Sequence, residues 1–391
     1  MVSVKNAKEI IAQHIATVMP AGIPLPDACG LMLAEDIKAK TDVPRFDNAA
    51  MDGYAFCYDN NVNNYKVTQQ IRAGDFLSSV LKRGEAARIF TGASLPPGAD
   101  TVIQQELTES MNTSIKFDPT AIKSGANVRV KGAQCRAGDL IAMKGNIITP
   151  GMVSLLVSAG MYEVSVFASP SVSLIVTGNE LAEQGTTLQP GQIFNSNEPA
   201  AKAYLQLLKV KKIISFHVKD DAGELYEKVK YCLEQTDMLI LTGGISVGDY
   251  DYVQSVLQQM GVKTLFYKVK QKPGKPLLVG KKENKWVFAL PGNPAAVLTC
   301  FNQYVKPCLL AMMGHKKVFE PDAVLPLANE WKKKEGLTHF IKAKITVGKV
   351  LLLQGQDSFN LLPFNEADCF AELDEAEEYF RAGAVVNVYK W

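Results

Sequence analysis

Histidine is scarce in this chain: His14, His217, His315 and His339 are the only four in 391 residues, and no two are close in sequence. That spacing argues against a zinc site, whose nitrogen and sulfur ligands cluster. The seven cysteines include no Cys-x-x-Cys pair. They read as reduced, mostly buried thiols of a cytoplasmic chain, not as a disulfide frame. A net charge of +2 gives no electrostatic case for nucleic acid or a membrane surface as partner. No apolar run approaches the ~20 residues of a membrane-spanning helix. The basic start and unbroken apolar core of a signal peptide are missing too. What is present, 47% hydrophobic and 21% charged residues, is the composition of a soluble globular protein. Its length exceeds one ordinary core, so two to four domains are expected. With nitrogen and sulfur donors so sparse, a hard ion with oxygen ligands, such as Mg²⁺, suits the chain best.

The informative stretch runs from Leu239 to Pro294. The apolar run Leu239-Ile240-Leu241 breaks into Thr242-Gly243-Gly244, followed by Ile245-Ser246-Val247-Gly248-Asp249-Tyr250-Asp251 and a helical pattern from Val253 to Met260. A second strand, 265–269, empties into Lys272-Pro273-Gly274-Lys275-Pro276, and a third, 286–290, into Pro291-Gly292-Asn293-Pro294 and a helix over 295–312. Each turn alone is ordinary turn chemistry. Three of them at strand ends in one α/β segment are more, because ligands of open α/β sheets sit beyond the carboxyl ends of the strands. Glycine lets backbone approach a ligand, and a helix N-terminus favours anions. Two lysines and two nearby carboxylates complete a site suited to a phosphorylated ligand with a divalent cation.

Along the rest of the chain, Ser3 caps an expected helix over 3–19, and a short helix is expected from Leu25 to about Leu33. Residues 56–144 read as β-rich. Thr149, Pro150 and Gly160 mark the cap, first turn and end of another helix. From Val172 the pattern is βαβ, and the acids Glu180, Asp220, Asp221, Asp249 and Asp251 all follow strand ends. Paired acids such as Asp220-Asp221 are commonly a helix start; their shared edge favours a site. Residues 316–391 read as a last β-rich block, with Lys332-Lys333-Lys334 a solvated loop.

The three turns, together with Pro44-Arg-Phe-Asp-Asn-Ala-Ala-Met-Asp52-Gly-Tyr-Ala55, Arg88-Ile-Phe-Thr91-Gly-Ala-Ser-Leu-Pro-Pro-Gly98 and the run 127–139, resemble the molybdenum-insertion enzymes of cofactor biosynthesis, the family that includes the C-terminal domain of gephyrin. The resemblance covers nearly the whole chain. It implies an α/β multidomain protein: a central doubly wound α/β molybdopterin-binding domain (171–315), an inserted β-rich lid (44–144), a small discontinuous α+β domain (1–43 with 145–170) and a C-terminal β-barrel-like domain (316–391). It implies Mg²⁺-dependent hydrolysis of adenylylated molybdopterin with molybdate as second substrate, giving AMP and molybdenum cofactor. Molybdopterin adenylyltransferase, which shares the central fold, and a scaffold with a decayed site are the alternatives.

Carried over by motif, Asp52, Thr91, Glu180, Asp220 and Asp251 are the expected catalytic residues, the last three also the metal ligands. Thr242, Gly243, Gly244, Ser246, Gly248, Lys272, Pro273, Gly274, Lys275, Pro291, Gly292, Asn293 and Pro294 would hold the substrate. The resemblance also implies a homodimer. It makes a molybdopterin adenylyltransferase and the molybdoenzyme apoproteins, or their chaperones, possible partners. The chain departs from the family pattern at Gln134, where an acid is usual, at Asn179, where Asp is usual, and over 355–368. Activity is still expected, because the other motif residues remain.

Overall fold

A computed structural model describes residues 1–75, 79–245 and 252–391. They form two compact units, Met1–Pro20 with Phe167–Trp391, and Ala21–Val166.

The first unit is built on a six-stranded sheet. Val172–Thr177 lies between Ile213–Val218 and Met238–Thr242, and Lys285–Leu290 follows, all parallel. Leu278–Lys282 and Lys263–Tyr267 then extend the sheet with antiparallel pairings. Every residue of Val172–Thr177 and of Met238–Thr242 is buried, as a parallel sheet covered on both faces requires. The period of two is visible in the cores. Leu174, Ile240 and Phe288 join one cluster, whereas Ile175, Leu239, Leu241 and Val287 join the other. The first face is covered by Val4–His14, Asn197–Leu207 and the helical run from Pro294 to Met312, the second by Ala222–Gln235 and Tyr252–Gln259. This is the doubly wound arrangement.

Three helices differ from their sequence pattern. Ser3 caps the first, accepting from Asn6 N at 3.2 Å, and Val4, Ala7 and Ile11 bury one stripe. The helix stops at His14, not at 19: the chain turns extended at Ile15, and Val18 N donates to Met312 O at 2.9 Å. The short helix expected to reach Leu33 spans only Leu25–Ala28, because Gly30 turns the chain at φ +83° into the strand Met32–Leu33. The helix expected over 295–312 is α from Pro294 to Cys300, π from Phe301 to Val305 and α again from Lys306 to Met312. Pro307 explains the wide turn. It has no N–H to give, and its ring crowds the carbonyl four residues back, that of Gln303.

The C-terminal block is a sheet ordered Gln271–Lys272, Thr338–Thr346, Cys369–Leu373, Val385–Lys390 and Ala323–Pro326, with Lys349–Leu352 also on Thr338–Thr346. Its first strand belongs to the Lys-Pro-Gly-Lys-Pro stretch: Gln271 pairs with Thr338 and Lys272 with His339.

The second unit holds a six-stranded, mostly antiparallel sheet, as its β-rich pattern predicts. Gly53 is required there, since a side chain would meet Ile103 O at 1.8 Å. It also holds the helix Pro150–Ser158, capped by Thr149 and ending before Gly160 at φ +88°.

Candidate functional site

A cavity of about 510 Å³ opens at the carboxyl ends of the parallel strands. Its size suits a small-molecule ligand. Two of the predicted turns form its floor. Gly243 and Gly244 take φ +88° and +61° directly after the buried Thr242. A methyl group on Gly243 would lie 2.6 Å from Thr177 O, so the backbone can pass only as glycine. Gly292 abuts this turn: its Cβ position is 3.6 Å from the Gly243 Cα. Asn197 holds the second turn by donating Nδ2 to Gly292 O at 2.8 Å. Pro291, Asn293 and Pro294 line the cavity with it, and the helix from Pro294 points its positive end there. The first free amide of that helix, Ala295 N, is already bonded to Ser358 O at 3.2 Å.

Two carboxylates face the cavity, Glu180 and Asp220. Among the described residues Asp220 is lightly held: it accepts one long bond from Asn179 N at 3.4 Å, while its own N–H donates to Asn179 Oδ1 at 3.2 Å. Its neighbour Asp221 has the structural role of helix cap, accepting from Glu224 N at 2.7 Å. Ser246, Gly248, Asp249 and Asp251 lie outside the described residues. Among the described residues no three acids, histidines or cysteines converge on one point. Two carboxylates fit Mg²⁺, which keeps several waters and takes one or two protein carboxylates plus phosphate oxygens.

The Lys272–Pro276 turn is fixed from beneath. Gln271 is fully buried, and its Nε2 donates to Pro273 O and Gly274 O, each at 3.1 Å. Its Oε1 accepts from Tyr304 OH, on the π turn. Gly274 fits against Cys300, whose Sγ would be 2.5 Å from a side chain there. Of this turn, Pro276 lines the cavity. Lys275 is exposed. Lys272 instead lines a second cavity, of about 440 Å³, with Trp331, Lys333 and His339. The lysine run 332–334 thus borders a cavity, with Asp374, Glu377 and Glu378 close enough to offset part of its charge at Lys333.

Burial, with Lys333 and Lys272 beside it, pulls the His339 imidazole down to about 4. In the unfolded chain it titrates near ~6.5. The neutral ring therefore stabilises the fold fully above that value, and the contribution is lost as pH falls towards 4. The natural protein should lose more melting temperature between pH 7 and pH 5 than His339→Gln, by about 2 °C. Equal losses would remove His339 from the acid response.

Within the second unit the two N-terminal signatures meet. Asp52 Oδ1 accepts from Thr91 N at 2.8 Å and from Thr91 Oγ1 at 2.7 Å, which holds its carboxyl below the usual range. Arg88 braces the same corner, donating to Gly53 O at 2.9 Å and to Gln105 Oε1. Gln134 has an exposed side chain, and its N–H donates to Val43 O at 2.8 Å.

Sequence reasoning missed Asn197, the apolar pair Ile193 and Phe194, and Ser358. Ile193 and Phe194 line the cavity yet are 56% and 46% exposed, so no burial pattern marks them. Ser358 Oγ accepts from Asn293 Nδ2 at 3.2 Å, which brings the divergent 355–360 turn to the cavity wall.

Three family models match the chain in order. They are the MoeA N-terminal region (domain I and II) at residues 2–160, a probable molybdopterin binding domain at 173–311, and the MoeA C-terminal region (domain IV) at 324–391. A molybdopterin molybdenumtransferase of Staphylococcus aureus (strain N315) is 33% identical over 398 residues, 99% of this chain and 95% of the relative. One from Staphylococcus epidermidis (strain ATCC 12228 / FDA PCI 1200) is 33% identical over 399 residues, with the same coverage. Two solved structures described as molybdopterin biosynthesis MoeA proteins of Pyrococcus horikoshii also match. One has 30% identity and a TM-score of 0.84, covering 100% of this chain and 99% of that one. The other has 26% identity and a TM-score of 0.80, covering 100% of both.

Proposed function

Because the chain belongs to the MoeA family of molybdopterin molybdenumtransferases, we propose that it converts adenylylated molybdopterin and molybdate into molybdenum cofactor, with release of AMP. The observation that carries this reading is the glycine-floored cavity, with Glu180 and Asp220 on its wall. The paired turns at Gly243-Gly244 and Gly292 let a phosphate chain approach the backbone closely, which no side-chain-bearing residue would permit. The helix end at Pro294 adds a favourable dipole. Ile193 and Phe194 offer an apolar rim on which a planar ring can rest.

Glu180 and Asp220 would hold Mg²⁺, which when bound polarises the phosphoanhydride and offsets its charge. Gly243, Gly244 and Gly292 would seat the anhydride against the backbone at the strand ends. Water adds at the adenylyl phosphorus, the P–O bond to the molybdopterin phosphate breaks, AMP leaves, molybdopterin keeps its own phosphate, and the proton of the water passes to solvent.

A molybdopterin adenylyltransferase would need only a domain of the kind matched at 173–311. The MoeA-type regions at 2–160 and 324–391 favour insertion. The test is AMP release from adenylylated molybdopterin with and without molybdate and Mg²⁺. Release that needs both is expected. A protein that releases no AMP under any condition would leave the scaffold reading standing.

A further inference from the structure

Lys342 sits inside the C-terminal sheet, opposite Phe370 on the neighbouring strand, and is 2% exposed. A buried ammonium is costly unless each of its donors is satisfied. Here all three are. Nζ donates to Gly355 O at 2.9 Å, Asp357 O at 3.3 Å and Asn360 O at 2.7 Å. The Phe364 ring centroid lies 5.4 Å away. Burial lowers the lysine's pKa, and nearby Asp357 opposes that shift. The backbone of Lys342 grips the same turn: its N–H donates to Gln356 Oε1 at 2.9 Å, and its carbonyl accepts from Gln356 Nε2 at 3.0 Å. One residue thus fastens the 355–360 turn at five points. The far side of that turn backs onto a residue of the cavity wall: Ser358 receives the Asn293 amide on its hydroxyl, and Ala295 N–H on its carbonyl.

We propose that Lys342 is a positioning residue for the substrate cavity: its ammonium fixes the 355–360 turn, and through Ser358 the turn fixes the Asn293-Pro294 wall. This rests on the reading of the glycine-floored cavity as the substrate site. Nothing in the sequence signals the role, since a lysine in a β-strand reads as a solvent-facing residue. The geometry accounts for how a turn that departs from the family pattern still braces the cavity wall. Three carbonyls converging on one point demand a cation with several donors, and no apolar side chain of equal length can replace it.

The experiment compares natural protein, Lys342→Met, Lys342→Arg and Ser358→Ala in AMP affinity by calorimetry and in steady-state AMP release. Methionine keeps the stem and removes all three donors; arginine keeps a donor-rich cation. Lys342→Met should weaken AMP binding and raise KM by about 10-fold, with kcat within about 3-fold, because the wall binds and does not react. Lys342→Arg should recover most of that loss, and Ser358→Ala should reproduce part of the KM rise. A folded Lys342→Met with natural AMP affinity and KM overturns the proposal. If Lys342→Met does not fold, unchanged KM and AMP affinity in Ser358→Ala overturn it. Failure of the natural protein to bind or release AMP would instead sink the reading of the cavity.

Discussion

Gly243→Ala is expected to reduce AMP release by ~100-fold or more, the scale on which small misplacements at a reacting centre act. Two separate effects combine. The residue sits at φ +88°, a conformation that costs an L side chain about 1–2 kcal/mol. The new methyl would also lie 2.6 Å from Thr177 O and 2.8 Å from Thr177 Oγ1. Both atoms belong to the end of a buried central strand, which cannot give way cheaply. The turn must move, and the cavity floor moves with it. Gly292→Ala separates geometry from stability. No left-handed conformation is required there, and the added carbon makes an ordinary 3.6 Å contact with Gly243 Cα. This variant should melt within about 2 °C of the natural protein, yet bind substrate about 10-fold more weakly by narrowing the floor. Natural turnover in Gly243→Ala would show that the substrate does not rest on this turn.

Asp220→Asn should cost AMP release on the order of 100-fold at limiting Mg²⁺, with little change in stability. The carboxylate lines the cavity and accepts, among the described residues, a single bond of 3.4 Å, so neutralising it breaks little there. Asp221→Asn is the internal control. Asp221 caps Ala222–Gln235, and asparagine caps as well as aspartate, so that variant should retain both stability and activity. If Asp220→Asn turns over normally across the whole Mg²⁺ range, or if Asp221→Asn is the inactive one, the carboxylates have been assigned wrongly.

The parts of this protein that repeat a simple rule were legible in its sequence. The nearly unbroken apolar runs of 172–177, 238–242 and 286–290 announce a sheet buried on both sides. Glycine after a strand announces where backbone must turn sharply, and Gly243, Gly244 and Gly292 do meet at one cavity. Ser3 and Thr149 cap as their types predict. What stayed hidden depends on side-chain direction or on distant partners. Lys272 and Lys275 belong to the turn that sends Pro276 to the glycine-floored cavity, but a turn residue's side chain can leave either way, and Lys272 lines a second cavity. Asp220 and Asp221 are the same residue type in adjacent positions, yet one lines the cavity and the other caps a helix. The π turn follows from Pro307, but that it hands Tyr304 to Gln271 is a tertiary fact. Lys342 is the extreme case, because its three acceptors come from a turn that follows it in the chain and carries no pattern of its own.

The first helix packs its stripe of Val4, Ala7 and Ile11 against a core that includes Val172, Val269 and Trp286. The whole second unit, Ala21–Val166, lies between them in the chain. During synthesis at ~5–20 residues per second, that helix waits for partners for roughly ten seconds or longer. A nascent chain therefore carries an unpaired apolar stripe while the whole second unit is being made. The unit with the cavity is closed by a helix made before the second unit and strands made after it. A ribosome that stalls before Trp286 would leave both halves of that core open at once.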